Sequence, residues 1–297
     1  MSDSAGSTGD TTRVDAHHHL WPVPTPAEFP WMTDEMVAIR RPFAPADLAP
    51  LLAAAGIRAT VLVQTRSSVA ETETFLATAA AHPFIAGVVG WVDLTDPGIA
   101  DAIARLRSLP GGNRLVGIRH QVHDEPDPAW LRRADVRRGI AAVGAAGLAY
   151  ELLVRTRELP AAVDTAQALP QVRFILDHLA KPPIAADGDA LAVWAHAIRQ
   201  LGARPNVAAK LSGLVTEADW SAWTVDDLAG PVRVALEAFG PERLLFGSDW
   251  PVCLVAASYE RVLAASVEAL GRAGLTRSER GGVLGTNAID AYRLRVG

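Results

Sequence analysis

The chain has 297 residues, 49% of them hydrophobic, so it is long enough to bury one large core. Its net charge is −5 at pH 7, and it has no run of basic residues, which argues against nucleic acid or an anionic membrane as a partner. Its single cysteine, Cys253, excludes an internal disulfide and fits a reducing compartment such as the cytoplasm.

The first segment, residues 1–12, is small and polar and lacks the basic and apolar regions of a signal peptide. We expect this segment to be disordered and residues 13–297 to form one domain. No apolar stretch reaches the ~20 residues that a membrane span needs. We therefore expect a soluble, cytoplasmic protein, and the sequence leaves open whether it forms a homo-oligomer.

Short apolar runs alternate with amphipathic helical segments along the chain. The runs span residues 13–19, 59–65, 85–94, 115–122, 148–155, 172–179, 206–214 and 243–251. Their nearly continuous Val, Ile and Leu content is typical of parallel strands that are covered on both faces. Gly56, Gly147, Gly202 and Gly240 follow predicted helices, where a residue with positive φ is favoured.

Eight strand–helix units in a chain of this length predict a single-domain (β/α)8 TIM barrel. A doubly wound open sheet is the alternative, but the glycine-rich phosphate turn typical of that fold is missing from the sequence. The Pro-rich stretch at residues 21–32 is too long for a tight turn after the first strand. We expect it to form a loop over the mouth of the barrel.

Polar residues are concentrated at the carboxyl ends of the predicted strands. They are Asp15, His17, His19, Gln64, Trp91, Asp93, Arg119, His120, Glu151, Arg155, Asp177, His178, Lys210, Ser212, Ser248 and Asp249. In a barrel these ends meet at one mouth, which is where barrel enzymes hold their catalytic groups. Eight strands that share this feature predict an active site there.

His17 and His19 are the first candidates for a metal site. Strand residues two positions apart point the same way, so both imidazoles face one side and His18 faces the other. Such a pair can bind one Zn, Fe or Mn ion, although a packed and hydrogen-bonded pair is the structural alternative. His178 and Asp249 could complete a mononuclear site, with Asp249 as the base that activates a water.

Lys210 is predicted to point into the barrel, where a lysine needs a carboxylate or a ligand as partner. It could hold a substrate oxygen, or it could form a buried ion pair with Asp177 or Glu151. Only one of Arg119 and His120 can point inward at the end of the fourth strand.

A neutral sugar ring would need hydrogen-bonding groups and an aromatic platform in the pocket. Gln64, Trp91, His120 and Trp250 are our candidates for that role. A dianionic substrate would instead need several converging arginines. Candidates for these are Arg40, Arg41, Arg66, Arg119 and Arg155.

Taken together, the motifs VDAHHHLW, GIRH, FILDHLAKP, KLSGL, LLFGSDWP and GTNAIDAYRL resemble the amidohydrolase superfamily. More narrowly, they resemble its amidohydrolase-2 branch of sugar lactonases, which includes L-fuconolactonase, L-rhamnonolactonase and 2-pyrone-4,6-dicarboxylate lactonase relatives. The resemblance covers residues 13–296. It implies a barrel that opens a lactone with water and places His17, His19, His178 and Asp249 at the superfamily's metal-site positions.

The resemblance implies one divalent ion, zinc in the first place, or a site that works without a metal. A dinuclear site is not expected, because the fourth strand offers Arg119 and His120 in place of a bridging lysine or glutamate. We therefore predict a hydrolase that opens a sugar lactone, such as L-fuconolactone or L-rhamnonolactone, with Asp249, His178 and Lys210 as catalytic residues. A metal, or the imidazoles with Lys210 or Arg119, would support the oxyanion. The alternatives are a pyrone-dicarboxylate lactonase, an aromatic-acid decarboxylase and a non-catalytic barrel that binds a sugar acid.

Overall fold

The computed structural model describes residues 12–186 and 188–296. Apart from Thr12, the segment 1–12 for which disorder is expected lies outside these residues. Within the described part, eight parallel strands pair in chain order. They are β1 (Arg13–His18), β2 (Ile57–Val63), β3 (Ile85–Gly90), β4 (Leu115–His120), β5 (Ala149–Leu152), β6 (Arg173–Leu176), β7 (Val207–Leu211) and β8 (Leu244–Phe246).

The sheet is nearly closed by two backbone hydrogen bonds between β1 and the segment after β8. The amide of Asp249 donates to the His17 carbonyl at 2.8 Å, and the amide of His19 donates to the Trp250 carbonyl at 2.7 Å. The prediction of a single-domain (β/α)8 barrel is thereby confirmed. The two chain segments that carry the metal-site candidates His17 and Asp249 are thus joined directly.

Helices connect the strands and cover the outside of the barrel. They are α1 (Pro45–Ala55), α2 (Val69–Ala81), α3 (Ile99–Ser108), α4 (Ala134–Ala145), α5 (Leu159–Ala168), α6 (Ala190–Gly202), α7 (Val225–Phe239), α8 (Tyr259–Arg272), α9 (Arg277–Gly281) and α10 (Asn287–Tyr292). In the described part of the chain, no helix combines the length and the hydrophobicity of a membrane span.

The hydrophobic core has two layers, as expected of a barrel. The larger one lies between the strands and the outer helices. The smaller one fills the lower interior of the barrel with side chains such as Val14, Val61 and Ile175, and Tyr292 and Leu294 close it from the base. Among the described residues, the buried charged groups of the barrel interior lie toward the carboxyl ends of the strands, away from this base.

The glycine predictions are correct at three positions and wrong at one. Gly56, Gly147 and Gly240 have φ values of 65°, 75° and 68°. Gly202 instead ends helix α6, and a Cβ atom there would lie 2.4 Å from the backbone oxygen of Ala238 in α7. Glycine is needed at this position because two helix backbones approach closely, not because of its φ.

We expect Gly202→Ala to lower the free energy of unfolding by about 1–3 kcal/mol, because the added methyl group must separate α6 from α7. Gly230→Ala in α7 is the matched control, since a Cβ there meets nothing within 4 Å apart from its chain neighbours. It should change stability by less than about 1 kcal/mol, because the gain in helix propensity is opposed by the contact of the new methyl group with the ring of Pro231. Urea denaturation of both variants measures this, and equal effects would contradict the packing argument.

Candidate active site

His178 and Asp249 lie in turns just beyond their strands, since β6 ends at Leu176 and β8 ends at Phe246. Both residues adopt left-handed backbone conformations, with φ values of 50° and 57°. Such conformations cost free energy in residues other than glycine and are concentrated at functional sites. The turns aim both side chains into the mouth of the barrel.

Four side chains converge at the mouth, and they are the four that the sequence singles out as metal-site candidates. The Nε2 atoms of His17 and His19 are 3.1 Å apart. Oδ1 of Asp249 lies 3.5 Å from Nε2 of His19, 3.7 Å from Nε2 of His17 and 3.9 Å from Nε2 of His178. His18 turns to the opposite side, where its Nε2 lies 2.9 Å from the Thr60 hydroxyl.

These spacings fit a single divalent ion. Zinc–nitrogen bonds of ~2.05 Å at tetrahedral angles separate two ligand atoms by ~3.3 Å, which is close to the distances observed. Nδ1 of His19 lies 2.7 Å from the Val63 carbonyl, which can only accept, so Nδ1 carries the proton and Nε2 keeps its lone pair. Nδ1 of His178 is likewise held, 2.8 Å from the Ser212 hydroxyl.

Gly213 makes room for this arrangement. Its φ is 62°, and a Cβ atom there would lie 2.7 Å from Nδ1 of His178 and 3.2 Å from Oδ2 of Asp249. Gly213 is not among the site residues predicted from the sequence. Its position directly after the seventh strand, beside Ser212, is the signal that could have found it.

Lys210 lies behind His17, fully buried, and is not part of the cavity wall. Its Nζ atom is 2.7 Å from Oε1 of Glu151, 2.9 Å from Oδ1 of Asp177 and 2.9 Å from Nδ1 of His17. The buried ion pair considered for this lysine is thus present with both carboxylates. Tyr292 of α10 adds a hydroxyl that donates to Glu151 from below.

The buried charges shift one another's protonation. Burial and the nearby Asp177 raise the pKa of Glu151 to about 7, against the opposing effect of Lys210. Burial would also raise the pKa of Asp177, but Lys210, His17 and Arg119 together hold it well below its usual value. Asp177 is therefore the carboxylate that stays ionised beside His17 at neutral pH.

Of the pair at the end of β4, Arg119 points inward. Its guanidinium is 2.8 Å from Oδ2 of Asp177 and 3.0 Å from Oε1 of Gln64. It lines the cavity and lies 3.4 Å from Nε2 of His17. Gln64, a predicted substrate-binding residue, is fully buried and holds this guanidinium instead of facing the cavity.

The predicted aromatic platform is not brought to the cavity wall. The Trp91 indole donates to Nδ1 of His120 at 3.0 Å, and His120 stacks on Trp130 with ring centroids 4.4 Å apart. Trp250 is 2% exposed and packs against Phe43. Trp91, His120 and Trp250 thus bond to or pack against protein groups and are not among the residues that line the cavity.

A cavity of about 260 Å³ opens above the converging side chains. Its walls also include residues that sequence reasoning did not select, namely Trp31, Met36, Gln121, His123, Leu153, Lys181, Thr216, Glu217, Trp220, Val252 and Val255. Trp31 belongs to the Pro-rich segment for which a loop over the mouth is expected. Lys181 and Glu217 form an ion pair at 2.8 Å on the rim.

Comparison with known proteins decides the family. The amidohydrolase family model matches residues 14–294, nearly the whole chain. The chain belongs to the amidohydrolase family.

Within this family the chain is similar to two curated proteins named L-fucono-1,5-lactonase. The one from Burkholderia multivorans is 41% identical over 290 residues, which cover 95% of this chain and 96% of that protein. The one from Burkholderia ambifaria is 38% identical and covers 96% of each. A crystal structure of a Burkholderia multivorans amidohydrolase with bound Zn has a TM-score of 0.91 at 39% identity, covering 96% of this chain and all of that one.

The buried ion pairs of Lys210 with Glu151 and Asp177 should contribute more to the stability of this amidohydrolase than the ion pair of Lys181 with Glu217 at the rim. We expect Lys210→Met to lower the free energy of unfolding by about 3–5 kcal/mol, because it leaves the buried Glu151 without a cation and Asp177 with Arg119 alone. Adding Glu151→Gln should recover part of that loss. The control is Lys181→Met, which breaks a half-buried rim pair and should cost about 1 kcal/mol or less. Equal losses in urea denaturation of the two lysine variants would contradict the argument.

The buried His18 should make the free energy of unfolding decrease as the pH is lowered. Burial, with the neighbouring charge of His19, lowers the pKa of His18 to about 3. The unfolded chain takes up this proton near pH 6.5 and the folded chain only near pH 3, so the stabilisation present above pH 6.5 is lost as the pH falls through that window.

His18→Gln removes this difference in proton uptake. Between pH 6.5 and 4.5 its unfolding free energy should fall less steeply than that of the unmodified chain, by roughly 1.4 kcal/mol per pH unit. His196→Gln, at an exposed position on α6, is the control. Urea denaturation at several pH values gives both slopes, and identical slopes for the His18 variant and the unmodified chain would refute the prediction.

Proposed function

We propose that this protein hydrolyses a sugar lactone, an aldonolactone such as L-fucono-1,5-lactone, to the open-chain hydroxy acid. One observation carries the proposal. A carboxylate, Asp249, faces three imidazole nitrogens at 3.5–3.9 Å on the floor of a cavity, in a chain closely similar to proteins named lactonases. Lactone opening needs a water nucleophile, a base and a group that stabilises the oxyanion, and the residues of this floor supply the base and the stabilising groups.

Asp249 acts as the base. Burial alone would raise its pKa, but the imidazoles of His178 and His19 lower it below the usual aspartate value. The carboxylate is therefore ionised at neutral pH and accepts a proton as water attacks the lactone carbonyl carbon. When the ring C–O bond breaks, Asp249 returns that proton to the ring oxygen, which leaves as a hydroxyl group.

The oxyanion of the tetrahedral intermediate is stabilised by the groups that face the cavity floor. Arg119 is fixed there by Asp177 and Gln64 and points its guanidinium at the site, and His178 borders the same space. When bound by His17, His19, His178 and Asp249, a divalent ion supplies Lewis-acid polarisation of the carbonyl and a more acidic water. Lys210 is a positioning residue in this scheme, because it touches His17 and not the cavity.

The charge of the cavity favours a neutral substrate over a dianionic pyrone. Of the candidate arginines, Arg40 pairs with Asp34, and Arg66 pairs with Glu28 and Glu71. Arg41 packs over the Phe43 ring. Arg119 and Arg155 are the two candidates that line the cavity, and Arg119 is already neutralised by Asp177. The hydroxyl groups of a sugar ring match the remaining amide, hydroxyl and ion-paired groups on the walls.

We also propose that the protein works in the cytoplasm. Cys253 is a buried free thiol, which suits a reducing compartment. Burial raises the pKa of this thiol, so it is not a nucleophile for the reaction.

Asp249→Asn should lower kcat for L-fucono-1,5-lactone by about 10²–10⁴-fold, because the amide cannot take a proton from water. A pH-indicator assay at neutral pH measures acid release, with subtraction of the spontaneous hydrolysis of the lactone. Asp93→Asn is the matched control, since Asp93 is an exposed aspartate after β3 that caps its own turn through Thr95.

The control variant should retain near-normal activity, and both variants should keep the thermal stability of a folded barrel. Near-normal turnover by the Asp249 variant would exclude its role as the base. Failure of the unmodified protein, with and without added zinc, to hydrolyse any aldonolactone of a panel would reject the proposed substrate class.

A further inference from the structure

A second cavity, of about 590 Å³, lies at the base of the barrel, opposite the candidate active site. Its floor is formed near the amino ends of β3, β4 and β5 by the small or apolar residues Ala86, Gly112, Leu115, Val116, Ala146, Gly147 and Leu148. Its lining also includes four arginines from three separate parts of the chain. These are Arg107 of α3, Arg114 before β4, and Arg293 and Arg295 after α10.

This cavity has no counter-charge of its own. The described residues that line it include no aspartate or glutamate, and within the described chain none of the four arginines forms an ion pair or donates a side-chain hydrogen bond. Arg105, two residues before Arg107 on the same helix, shows the contrast, because it pairs with Glu73 at 2.6 Å. Arg132 and Arg199 are also paired, with Asp164 and Glu237.

The positive charge is concentrated further by Arg173, which donates to the carbonyl of the cavity residue Gly147 at 2.6 Å. Burial and the proximity of Arg293 both lower the pKa of Arg173. Like charges gathered at a concave surface repel one another unless an anion neutralises them. The net charge of the whole chain is −5, so the local excess of positive charge at this cavity is opposite in sign to the charge of the protein as a whole.

We propose that the base cavity binds a small oxyanion that carries two or more negative charges, such as a phosphate ester, pyrophosphate or polycarboxylate. Guanidinium groups form paired, charge-assisted hydrogen bonds with phosphate and carboxylate oxygens, and several of them around one concavity can engage both ends of such an anion. The small floor residues leave room for the anion to approach the backbone. This site is independent of the proposed lactonase activity.

Isothermal titration calorimetry of the full chain at low ionic strength tests the proposal, with pyrophosphate and, separately, citrate as probes. We expect saturable binding of one equivalent of at least one probe, and the probe that binds identifies the class of oxyanion. In Arg107→Gln/Arg295→Gln the affinity should fall about tenfold or more, because two charge-assisted contacts are lost. Both arginines are exposed, so the variant is expected to fold.

Two control variants distinguish binding at the base cavity from non-specific attraction by net charge and from binding in the cavity at the mouth of the barrel. Arg132→Gln/Arg199→Gln removes the same charge from paired, exposed arginines, and Arg155→Gln removes a cation from the mouth cavity. Both should bind the probe as the unmodified chain does. The single variant Arg295→Gln, which should also bind more weakly, replaces the double variant if circular dichroism shows that the latter is unfolded.

Absence of saturable binding of both probes would overturn the proposal. Equal weakening in the base variant and in the Arg132/Arg199 control would overturn it as well, because it would show attraction by net charge alone. Loss of binding in Arg155→Gln with retention in the base variant would place the anion at the mouth and would likewise reject the base site.

Discussion

The ammonium group of Lys210 is the interaction on which the rest of the site depends. It is fully buried and touches one atom each of His17, Glu151 and Asp177. A charge that is removed from water must be compensated by charges and hydrogen bonds at close range. Two carboxylates in the barrel interior, those of Glu151 and Asp177, compensate this charge. A second cation, Arg119, forms an ion pair with Asp177.

The same ammonium group lies within a second set of potential metal ligands in the barrel. His17, Glu151 and Asp177 have ligand atoms within 4.8 Å of one another, which is the spacing of a metal site in its own right. Nζ of Lys210 contacts a ligand atom of each of the three residues. The lysine therefore fills, with a covalently attached cation, the place that a second ion would take, and leaves the His17, His178 and Asp249 side free for one.

The sequence was sufficient for the architecture and for the convergence of the four candidate metal ligands, but it was not sufficient for the wall of the cavity. The β-branched runs and the strand-end polar residues are local signals, so the barrel and the convergence of His17, His19, His178 and Asp249 could be predicted. Gln64, Trp91, His120 and Trp250 are also at strand ends, but they bond to or pack against protein groups. Whether a side chain at a strand end faces the cavity depends on its hydrogen-bonding and packing partners, and these lie far away in the sequence.

Strand length and irregularity limited the prediction further. The predicted sixth and eighth strands included His178 and Asp249, whereas both lie in left-handed turns whose conformation no propensity scale indicates. The pairing of β1 with β2 also shifts between Asp15 and His18, so strict alternation does not describe the residues that matter most. The contact of Tyr292 with Glu151 was not predicted, although this tyrosine lies in the terminal motif GTNAIDAYRL.

The bond between Tyr292 and Glu151 has a consequence for how the molecule assembles. It joins residues 141 positions apart and runs from the plug at the base of the barrel to the charge cluster below the reaction centre. Glu151 thus has its hydroxyl donor only when α10 is docked at the base of the barrel. A barrel from which this helix is removed would bury Glu151 without that donor, so the charge cluster below the reaction centre depends on the docking of the last helix.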